Sequence, residues 1–437
     1  MPGALKDLVR PDAITMPIQV HQGGGEPVQT EDLVAWVLNE GRGLYNMVEL
    51  FDQFCWRLVG NGMPIWRATL HGFTLHPQMR GIGLRWWREH NQIEEFAVKH
   101  GGEDSPDFTQ SPLRATVLDG VPARFPSGHP GWTDVPLLSH LGSLGATDYL
   151  ALPLGQVNAR FISATFATDA AGGFDAAHLA ALEGTTPALG AVVEGLLLKR
   201  MSTNLLNTYL GWEVGPRVLS GEILRGQGRR LRSVVMATDL RGFTRLSDQL
   251  PPGDVIEALN DYFECVSSAV HSHGGAVLKF IGDGVLSIFR VDGDDEADAA
   301  IRALSAAHDA LAGLDDLNRS RAWAERPVLK AGIGLHLGDV IYGNVGSLDR
   351  LDFTVIGPAV NLAFRLESLT KVLGTPLLTS KIFADDAPGH LVSLGFQSVQ
   401  GLDEPVEVFG WPGARYPERI PGRAVGDRRM DLEPVSR

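Results

Sequence analysis

The spacing of apolar residues divides the first half of the chain into helical and strand-like stretches. From Glu31 to about Val59 apolar residues recur at three- and four-residue intervals, which is the period of amphipathic helices. Residues 174–198 return to this spacing and predict a closing helix. Between them, alternation predicts strands at residues 66–75, 82–87, 148–154 and 159–167, around a long irregular middle. This order of elements is typical of a small α+β module.

The second half contains short apolar runs typical of β-strands, with aspartates at the predicted strand ends. Residues 233–238 form one such run, and Asp239 follows it directly. Two further runs flank the turn that holds Asp283 between glycines, as in a hairpin. If these strands are neighbours, the two carboxylates face each other and suit divalent cations. Taken alone, each aspartate has a structural alternative in a turn or helix cap.

Two further stretches of the second half carry groups suited to phosphates and sugars. Gly242, Phe243 and Thr244 open a helix-like stretch whose first backbone N–H groups favour a phosphate. Asn361 and Arg365 are four residues apart on a later predicted helix, so an amide and a guanidinium share one face. Such a pair is suited to orienting a sugar and stabilising a transferring phosphate, although a lone polar face is ordinarily only solvated.

Composition narrows the class of protein. The 437 residues include 52 Asp and Glu against 38 Lys and Arg, and this net charge of −14 disfavours a broad nucleic-acid or anionic-membrane surface. Cys55 and Cys265 are the only cysteines, so a disulfide framework is not expected and a reducing cytoplasm fits. No apolar stretch reaches the roughly 18 residues of a membrane helix. We therefore predict a cytoplasmic protein without a membrane span.

The second half resembles the class III nucleotidyl cyclases over residues 231 to about 412. Four segments in the family's order and approximate spacing carry the resemblance: Asp239-Leu240-Arg241-Gly242-Phe243-Thr244, Lys279-Phe280-Ile281-Gly282-Asp283-Gly284, Gly332-Ile333-Gly334-Leu335-His336-Leu337-Gly338, and Phe353-Thr354-Val355-Ile356-Gly357 through Asn361 and Arg365. The resemblance implies an α+β fold with a ferredoxin-like βαββαβ core. It also implies a homodimer with active sites at the interface between the protomers.

The resemblance assigns roles to individual residues. It implies that Asp239, Asp283 and the Leu240 carbonyl bind two Mg²⁺ or Mn²⁺ ions in one protomer. The residues expected from the other protomer are Lys279, Thr354, Asn361 and Arg365. The family's pyrophosphate-binding lysine is absent near Gln400-Gly401, and Arg241 or Lys371 could compensate.

The residues at the base-reading positions favour ATP as the substrate. A lysine and a hydroxyl, here Lys279 and Thr354, suit N1 and N6 of adenine, whereas guanine readers of the family usually carry Glu at the lysine position. The chain thus resembles the Thr-type bacterial subgroup, and we expect an adenylate cyclase that converts ATP to cyclic AMP and pyrophosphate. The alternatives are a catalytically silent nucleotide-binding module and a guanylate cyclase.

The first half resembles a GAF-like sensor domain. The resemblance rests on element order and on Ala164-Thr165-Phe166-Ala167 with Gly173-Phe174-Asp175. It implies regulation by an unknown small ligand or signal, with haem on His21, His71 or His76 a minor alternative to packed histidines. The expected organisation is a flexible extension (1–30), a GAF-like domain (31–200), a connector helix region (201–230), a cyclase domain (231–412) and a disordered tail (413–437).

Overall fold

The computed structural model describes residues 19–411 except Gly24, Asn158, Ala159, Asp294, Ala324, Glu325 and Pro388. The chain divides into two compact units between Thr208 and Tyr209. The predicted tail at 413–437 and the first part of the predicted extension, residues 1–18, lie outside the described residues.

The first unit is built on one seven-stranded sheet with the strand order β1-β4-β3-β2-β7-β6-β5, all neighbours antiparallel. In chain order its elements are β1 (Gln19–Gln22), α1 (Leu33–Asn39), α2 (Met47–Gly60), β2 (Arg67–Phe73), β3 (Met79–Trp87), β4 (Gln92–Lys99), α3 (Pro106–Thr109), α4 (Arg114–Asp119), β5 (Ala123–Pro126), α5 (Gly131–Asp134), α6 (Pro136–Ser143), β6 (Asp148–Val157), β7 (Arg160–Thr168) and α7 (Ala176–Leu210).

Different elements pack on the two faces of this sheet. Successive side chains of a strand point to opposite faces, so each strand contributes to both clusters. Ala68 and Leu70 of β2 belong to a core cluster with residues of α2 and α7. On the other face, Tyr149 and Ala151 of β6 pack with Leu113, Leu138 and Leu141 from the segment between β4 and β6. Arg67, Thr69 and His71 alternate with the first pair along β2 and lie on this second face.

Three strands of the first unit differ from the sequence prediction. Strand β1 lies within the predicted extension, yet it pairs with β4, which itself lies in the predicted irregular middle together with β5. Strand β1 is an edge strand of four residues, and Glu94 and Glu95 of β4 interrupt its apolar pattern. Pairing, rather than local alternation, therefore makes these segments strands.

A buried carboxylate joins three elements of the first unit. Asp148, at the start of β6, is fully buried and accepts hydrogen bonds from the Arg124 guanidinium and from the backbone N–H of Phe174. Arg124 also donates to the Phe174 carbonyl. These bonds attach β5 and β6 to the segment that enters α7.

Helix α7 continues through the predicted connector as far as Leu210. On this helix, Met201 packs in the core of the first unit, while Leu198 and Tyr209 are 45% and 80% exposed. Among the described residues, α7 is also the one helix long and apolar enough to cross a membrane, and 50% of its most apolar window is buried in the protein. Burial of this kind is common for a core helix, and the absence of a membrane span stays a prediction.

The second unit is an eight-stranded sheet in the order β14-β15-β13-β11-β8-β10-β9, with β12 paired to β11. Its elements are α8 (Gly215–Leu219), β8 (Gly228–Leu240), α9 (Phe243–Gln249), α10 (Pro252–Ser272), β9 (Ala276–Ile281), β10 (Gly284–Arg290), α11 (Glu296–Trp323), β11 (Ala331–Gly346), β12 (Leu351–Ile356), α12 (Pro358–Leu373), β13 (Leu377–Ser380), α13 (Lys381–Asp385), β14 (Val392–Gln397) and β15 (Val406–Gly410).

Helices cover both faces of this second sheet. On one face, Val234 and Met236 of β8 pack in a large cluster with the alanine-rich side of α11 and with α10. On the other face, Val235 and Ala237 pack with Ala359 and Ala363 of α12. Strand β8 is apolar on both sides for this reason, and it lies at the centre of the sheet between β11 and β10. Its end at Leu240 is where the site begins.

Candidate active site

The pairing of β8 with β10 brings the two predicted metal-binding aspartates together. Asp239 is the penultimate residue of β8 and is directly opposite Gly284, the first residue of β10. Asp283 is in the turn immediately before Gly284. Burial, and next the negative charge of Asp239, raise the pKa of the Asp283 carboxyl. Two carboxylates that repel each other in this way favour a cation between them.

Helix α12 adds two groups to these aspartates that the sequence analysis did not place in the site. The Lys371 ammonium donates to Asp239 Oδ2 at 2.7 Å. Glu367, one helical turn earlier, is 3% exposed, and burial followed by the charge of Asp239 raises its pKa to about 7. We call Asp239, Asp283, Glu367 and Lys371 the carboxylate cluster. The i, i+4 spacing of Glu367 and Lys371 on α12 is the sequence signal that pairs this glutamate with the lysine already suggested as a compensating cation.

Glycine in β11 allows α12 to approach the sheet at the carboxylate cluster. A Cβ at Gly334 would lie 2.2 Å from the Ala363 carbonyl oxygen and 2.5 Å from the Glu367 nitrogen. A Cβ at Gly332 would lie 2.8 Å from Glu367 Oε1. All three distances are shorter than carbon contacts permit, so a larger residue at either glycine would displace the helix and its side chains.

Arg241 holds the end of α12 in place. Its Nη2 donates to the backbone carbonyls of Thr370, at 3.3 Å, and of Thr375. These bonds direct Nη2 to the end of α12, and of the two compensating cations suggested by the sequence, Lys371 is the one that bonds Asp239.

The predicted phosphate-binding turn follows β8 directly. Leu240 has its side chain buried in the core, and Gly242 adopts a left-handed φ of 73° before α9 begins at Phe243. No side chain caps the first turn of α9, and Thr244 is exposed. The turn therefore presents backbone N–H groups near the carboxylate cluster.

The predicted base-reading residues lie on β9 and β12. Lys279 Nζ donates to Asp352 Oδ2 at 2.7 Å and so joins the two strands. Thr354, two residues beyond Asp352, is 5% exposed, and its hydroxyl has no hydrogen-bond partner among the described residues. A buried hydroxyl of this kind is available to a ligand.

Asn361 and Arg365 occupy a different face of α12 from Glu367 and Lys371. At 100° per residue the two pairs are separated by roughly 120° around the helix axis. Asn361 is exposed, and the Arg365 guanidinium lies beside Gly401, where a Cβ would come within 2.9 Å of Nη2. The two predicted catalytic residues therefore point away from the carboxylate cluster of their own chain.

Comparison with known proteins identifies this half of the chain. Residues 230–375 match the sequence model of the adenylate and guanylate cyclase catalytic domain. The chain carries an adenylate and guanylate cyclase catalytic domain. An adenylate cyclase of Anabaena cylindrica is 36% identical over 191 residues, which are 42% of this chain and 37% of that protein.

Solved structures of cyclases are also similar to the chain. The match to a bacterial light-regulated adenylyl cyclase covers 54% of this chain and 66% of the cyclase chain, with 26% identity and a TM-score of 0.44. The match to the guanylyl cyclase Cya2 covers 44% of this chain and 98% of the Cya2 chain, with 30% identity and a TM-score of 0.39. The chain spans less than half the length of the curated relatives it matches, with shares of 37% and 44%.

Within the cyclase domain the predicted site residues form two separate sets. In the part of the chain that the structure describes, no hydrogen bond or ion pair joins Lys279, Thr354, Asn361 or Arg365 to the carboxylate cluster. A single chain therefore brings Asp239 and Asp283 together in one place and holds the residues predicted to read the base and to act in catalysis elsewhere.

Proposed function

We propose that the protein is an adenylate cyclase that converts ATP to cyclic AMP and pyrophosphate. The observation that carries the choice of ATP is on β9 and β12: the Lys279 ammonium bonds Asp352, two residues before Thr354, whose buried hydroxyl has no hydrogen-bond partner among the described residues. A lysine donor and the Thr354 hydroxyl suit N1 and N6 of adenine. The resemblance to the Thr-type bacterial subgroup supports the same choice.

Two divalent cations, Mg²⁺ or Mn²⁺, fit the carboxylate cluster. Among the described residues no three His, Cys, Asp or Glu side chains are arranged as a metal site, so Asp239 and Asp283 would share the ions with the Leu240 carbonyl and substrate phosphates. Few protein carboxylates plus phosphate oxygens are the usual ligands of Mg²⁺. When bound, such ions lower the pKa of a hydroxyl nucleophile and neutralise phosphate charge.

The protein side chains position the substrate for an intramolecular reaction. The ribose 3′-oxygen forms a bond to the α-phosphorus, the bond to the β-phosphate bridging oxygen breaks, and pyrophosphate leaves while the 3′ proton passes to solvent. Asn361 orients the ribose, and Arg365 stabilises the charge that develops on the phosphate. The turn at Gly242, Phe243 and Thr244 donates backbone N–H groups to the departing phosphates. Positioning and electrostatics supply the acceleration, because the reaction needs no covalent enzyme intermediate.

A homodimer completes the site in this proposal. The two faces of α12 direct Asn361 and Arg365 away from the carboxylate cluster of the same chain, so one nucleotide needs Asp239 of one protomer and Arg365 of the other. Apolar side chains near Lys279 and Thr354 support an interface here, since Phe280, Ile281 and Ile356 are 51%, 46% and 42% exposed. The strand order β11-β8-β10-β9 supports a ferredoxin-like core.

We further propose a regulatory first unit. Its helix, sheet and closing helix support a GAF-like sensor domain, with α7 as the connector toward the cyclase domain. The low cysteine count supports a cytoplasmic location.

Turnover by the purified full-length protein tests the proposal. ATP and GTP are supplied separately with Mn²⁺, and cyclic nucleotides are quantified by chromatography. We expect cyclic AMP from the wild type and none from Asp239→Ala, while Asp248→Ala, a matched control on the exposed side of α9, keeps full activity. Cyclic GMP as the main product would make the protein a guanylate cyclase. No product from either nucleotide, with ATP binding retained, would favour the silent module.

A further inference from the structure

A cavity of about 310 Å³ lies within the first unit, on the face of the sheet opposite α2 and α7. Its floor is formed by β2 and β3, including Arg67 and Ile82, and its other walls come from the segment between β4 and β6, including Leu113 and Leu141. Cavities of this size, about 300 Å³ and above, are typical of small-molecule sites.

Most of the cavity wall is apolar, and much of it is aromatic. Phe73, Phe96, Phe108 and Tyr149 line it together with aliphatic side chains. Such walls favour the body of a flat or aliphatic molecule rather than a sugar or a hydrated ion.

Of the arginines in this wall, Arg67 is the buried one that has no anionic partner among the described residues. Arg67 is 5% exposed, and its guanidinium makes no hydrogen bond or ion pair with the described residues. Its Nε is buried without a hydrogen-bond partner in the described part of the chain, and its guanidinium carbon lies 5.2 Å from the centre of the Trp87 ring. A buried charge without a partner is costly, so an arginine here indicates an anion that the cavity accepts.

Each of the other three arginines in the wall contacts a carboxylate or an aromatic ring. Arg80 pairs with Glu103 at 2.7 Å. Arg85 pairs with Glu94 at 3.0 Å, which leaves that glutamate committed to its own partner. Arg160 lies over the Phe73 ring, 5.6 Å from its centre. With four arginines and one glutamate lining it, the cavity is positively charged in a protein whose net charge is −14.

The neighbouring polar groups do not supply the missing anion. His71 Nε2 is 2.8 Å from the Thr69 hydroxyl, which is 2.6 Å from the Thr165 hydroxyl, so these groups satisfy one another across β2 and β7. Burial, followed by the charges of Arg67 and Arg85, lowers the pKa of His71 to about 3. His71 is therefore neutral near pH 7. His140 Nε2, in the opposite wall, is buried without a partner and offers one more polar atom.

We propose that this cavity binds an amphipathic organic anion, an aromatic body carrying a single carboxylate, with the carboxylate on Arg67 and the ring among the phenylalanines. The site is independent of the nucleotide chemistry of the cyclase domain. Guanidinium and carboxylate meet in a geometry that allows two parallel hydrogen bonds, which gives the cavity its selectivity for charge.

Binding of two isosteric probes by the full-length protein tests this site. The probes are naphthoate and the corresponding naphthalenemethanol, which differ in charge but share the ring, and calorimetry measures their affinities. We expect naphthoate to bind at least about tenfold more tightly than the alcohol, because a hydrogen bond to a buried charge discriminates by at least this much.

Substitution of Arg67 distinguishes the contribution of its charge to binding from that of the apolar cavity wall. Arg67→Met should weaken naphthoate by about tenfold and leave the alcohol within about twofold. Arg57→Met is the matched control, since Arg57 on α2 lies over the Trp36 ring and does not line the cavity. Leu137→Trp fills the cavity and should abolish binding of both probes, with circular dichroism and thermal melting confirming that each variant is folded.

Three results would overturn the proposal. They are equal affinity of the wild type for the two probes, absence of binding by either probe to the folded protein, and unchanged naphthoate affinity in Arg67→Met. A Soret band on adding haem that disappears in His71→Ala would assign the cavity to haem instead.

Discussion

At the residue scale, the ion pair between Lys279 and Asp352 bears directly on base selection. It holds the lysine ammonium, which comes from β9, against β12, the strand that carries the Thr354 hydroxyl. A carboxylate at position 279 would face Asp352 and repel it. Base selection in the proposed cyclase therefore depends on the charge of the residue at position 279.

Reversing the charge at position 279 tests how the protein selects between adenine and guanine. Lys279→Glu combined with Asp352→Asn removes the repulsion and replaces the donor to adenine with an acceptor. We expect kcat/KM for ATP to fall by at least about tenfold relative to GTP, because one charged hydrogen bond changes the preference by this amount. Lys330→Glu, at an exposed position of the same domain, is the control. An unchanged ATP preference in the double variant would disprove the base assignment.

A second residue-scale prediction concerns pH. Burial, followed by the charge of Arg232, lowers the pKa of His336 to about 4, and its Nδ1 is 2.7 Å from the Ser380 hydroxyl. Between pH 6.5 and about 4 the unfolded chain takes up a proton at this histidine that the folded chain does not, so stability falls as the pH falls. Over this range the free energy of unfolding decreases by about 3 kcal/mol.

His336→Gln should remove that part of the acid destabilisation. Urea unfolding at pH 7 and pH 4.5 measures the free energy of unfolding for both proteins, and the difference between the two pH values should be smaller in the variant. An equal difference in wild type and variant would show that His336 titrates normally in the folded protein.

At the element scale, α12 is the helix on which the site depends. One face carries Glu367 and Lys371 toward Asp239, and another carries Asn361 and Arg365. The close approach of this helix to β11 at Gly334 and the bonds from Arg241 to its last turn fix the position of both faces. In the proposed enzyme, a change in the position of α12 would therefore disturb metal binding and catalysis together.

The ammonium of Lys371 and a metal ion compete for the same carboxylate in the proposed enzyme. Lys371→Met should tighten Mn²⁺ binding by roughly twofold to fivefold, because a partly exposed ion pair contributes at most about 1 kcal/mol. Paramagnetic resonance of free Mn²⁺ measures the affinity without turnover. Lys381→Met, which removes an exposed ion pair with Asp385 on α13, should leave it unchanged. Weaker Mn²⁺ binding in Lys371→Met would contradict the competition.

At the scale of the whole molecule, the proposed activity belongs to a pair of chains. Asp239→Ala and Arg365→Ala should each be inactive alone, since every site needs both residues from different protomers. An equimolar mixture with exchanging subunits should recover about a quarter of the wild-type activity, because half of the dimers are mixed and each has one intact site of two. Mixing Asp239→Ala with Asp283→Ala is the control and should restore nothing. Failure of the first mixture to regain activity, with subunit exchange verified, would place the complete site in one chain.

Several features of the cyclase domain followed from the sequence because they are local. Asp239 ends an apolar strand, Asp283 lies between turn glycines, and Asn361 and Arg365 have the spacing of one helix face. Periodicity and turn chemistry are properties of neighbouring residues, so they can be read without a structure. In the first unit the same rules placed β2, β3, β6 and β7, while β1, β4 and β5 depend on partners distant in sequence.

The remaining features depend on contacts between distant segments. Glu367 and Lys371 reach Asp239 because α12 packs on β8 and β11, although Lys371 and Asp239 are separated by 132 positions. The cavity beside Arg67 exists because the segment between β4 and β6 folds over the sheet. The sequence by itself determined the local elements of the cyclase motifs and the polar residues that they carry. Only the tertiary structure decided which charges meet, because the long-range packing of helices and strands sets the distance between side chains that no local pattern encodes.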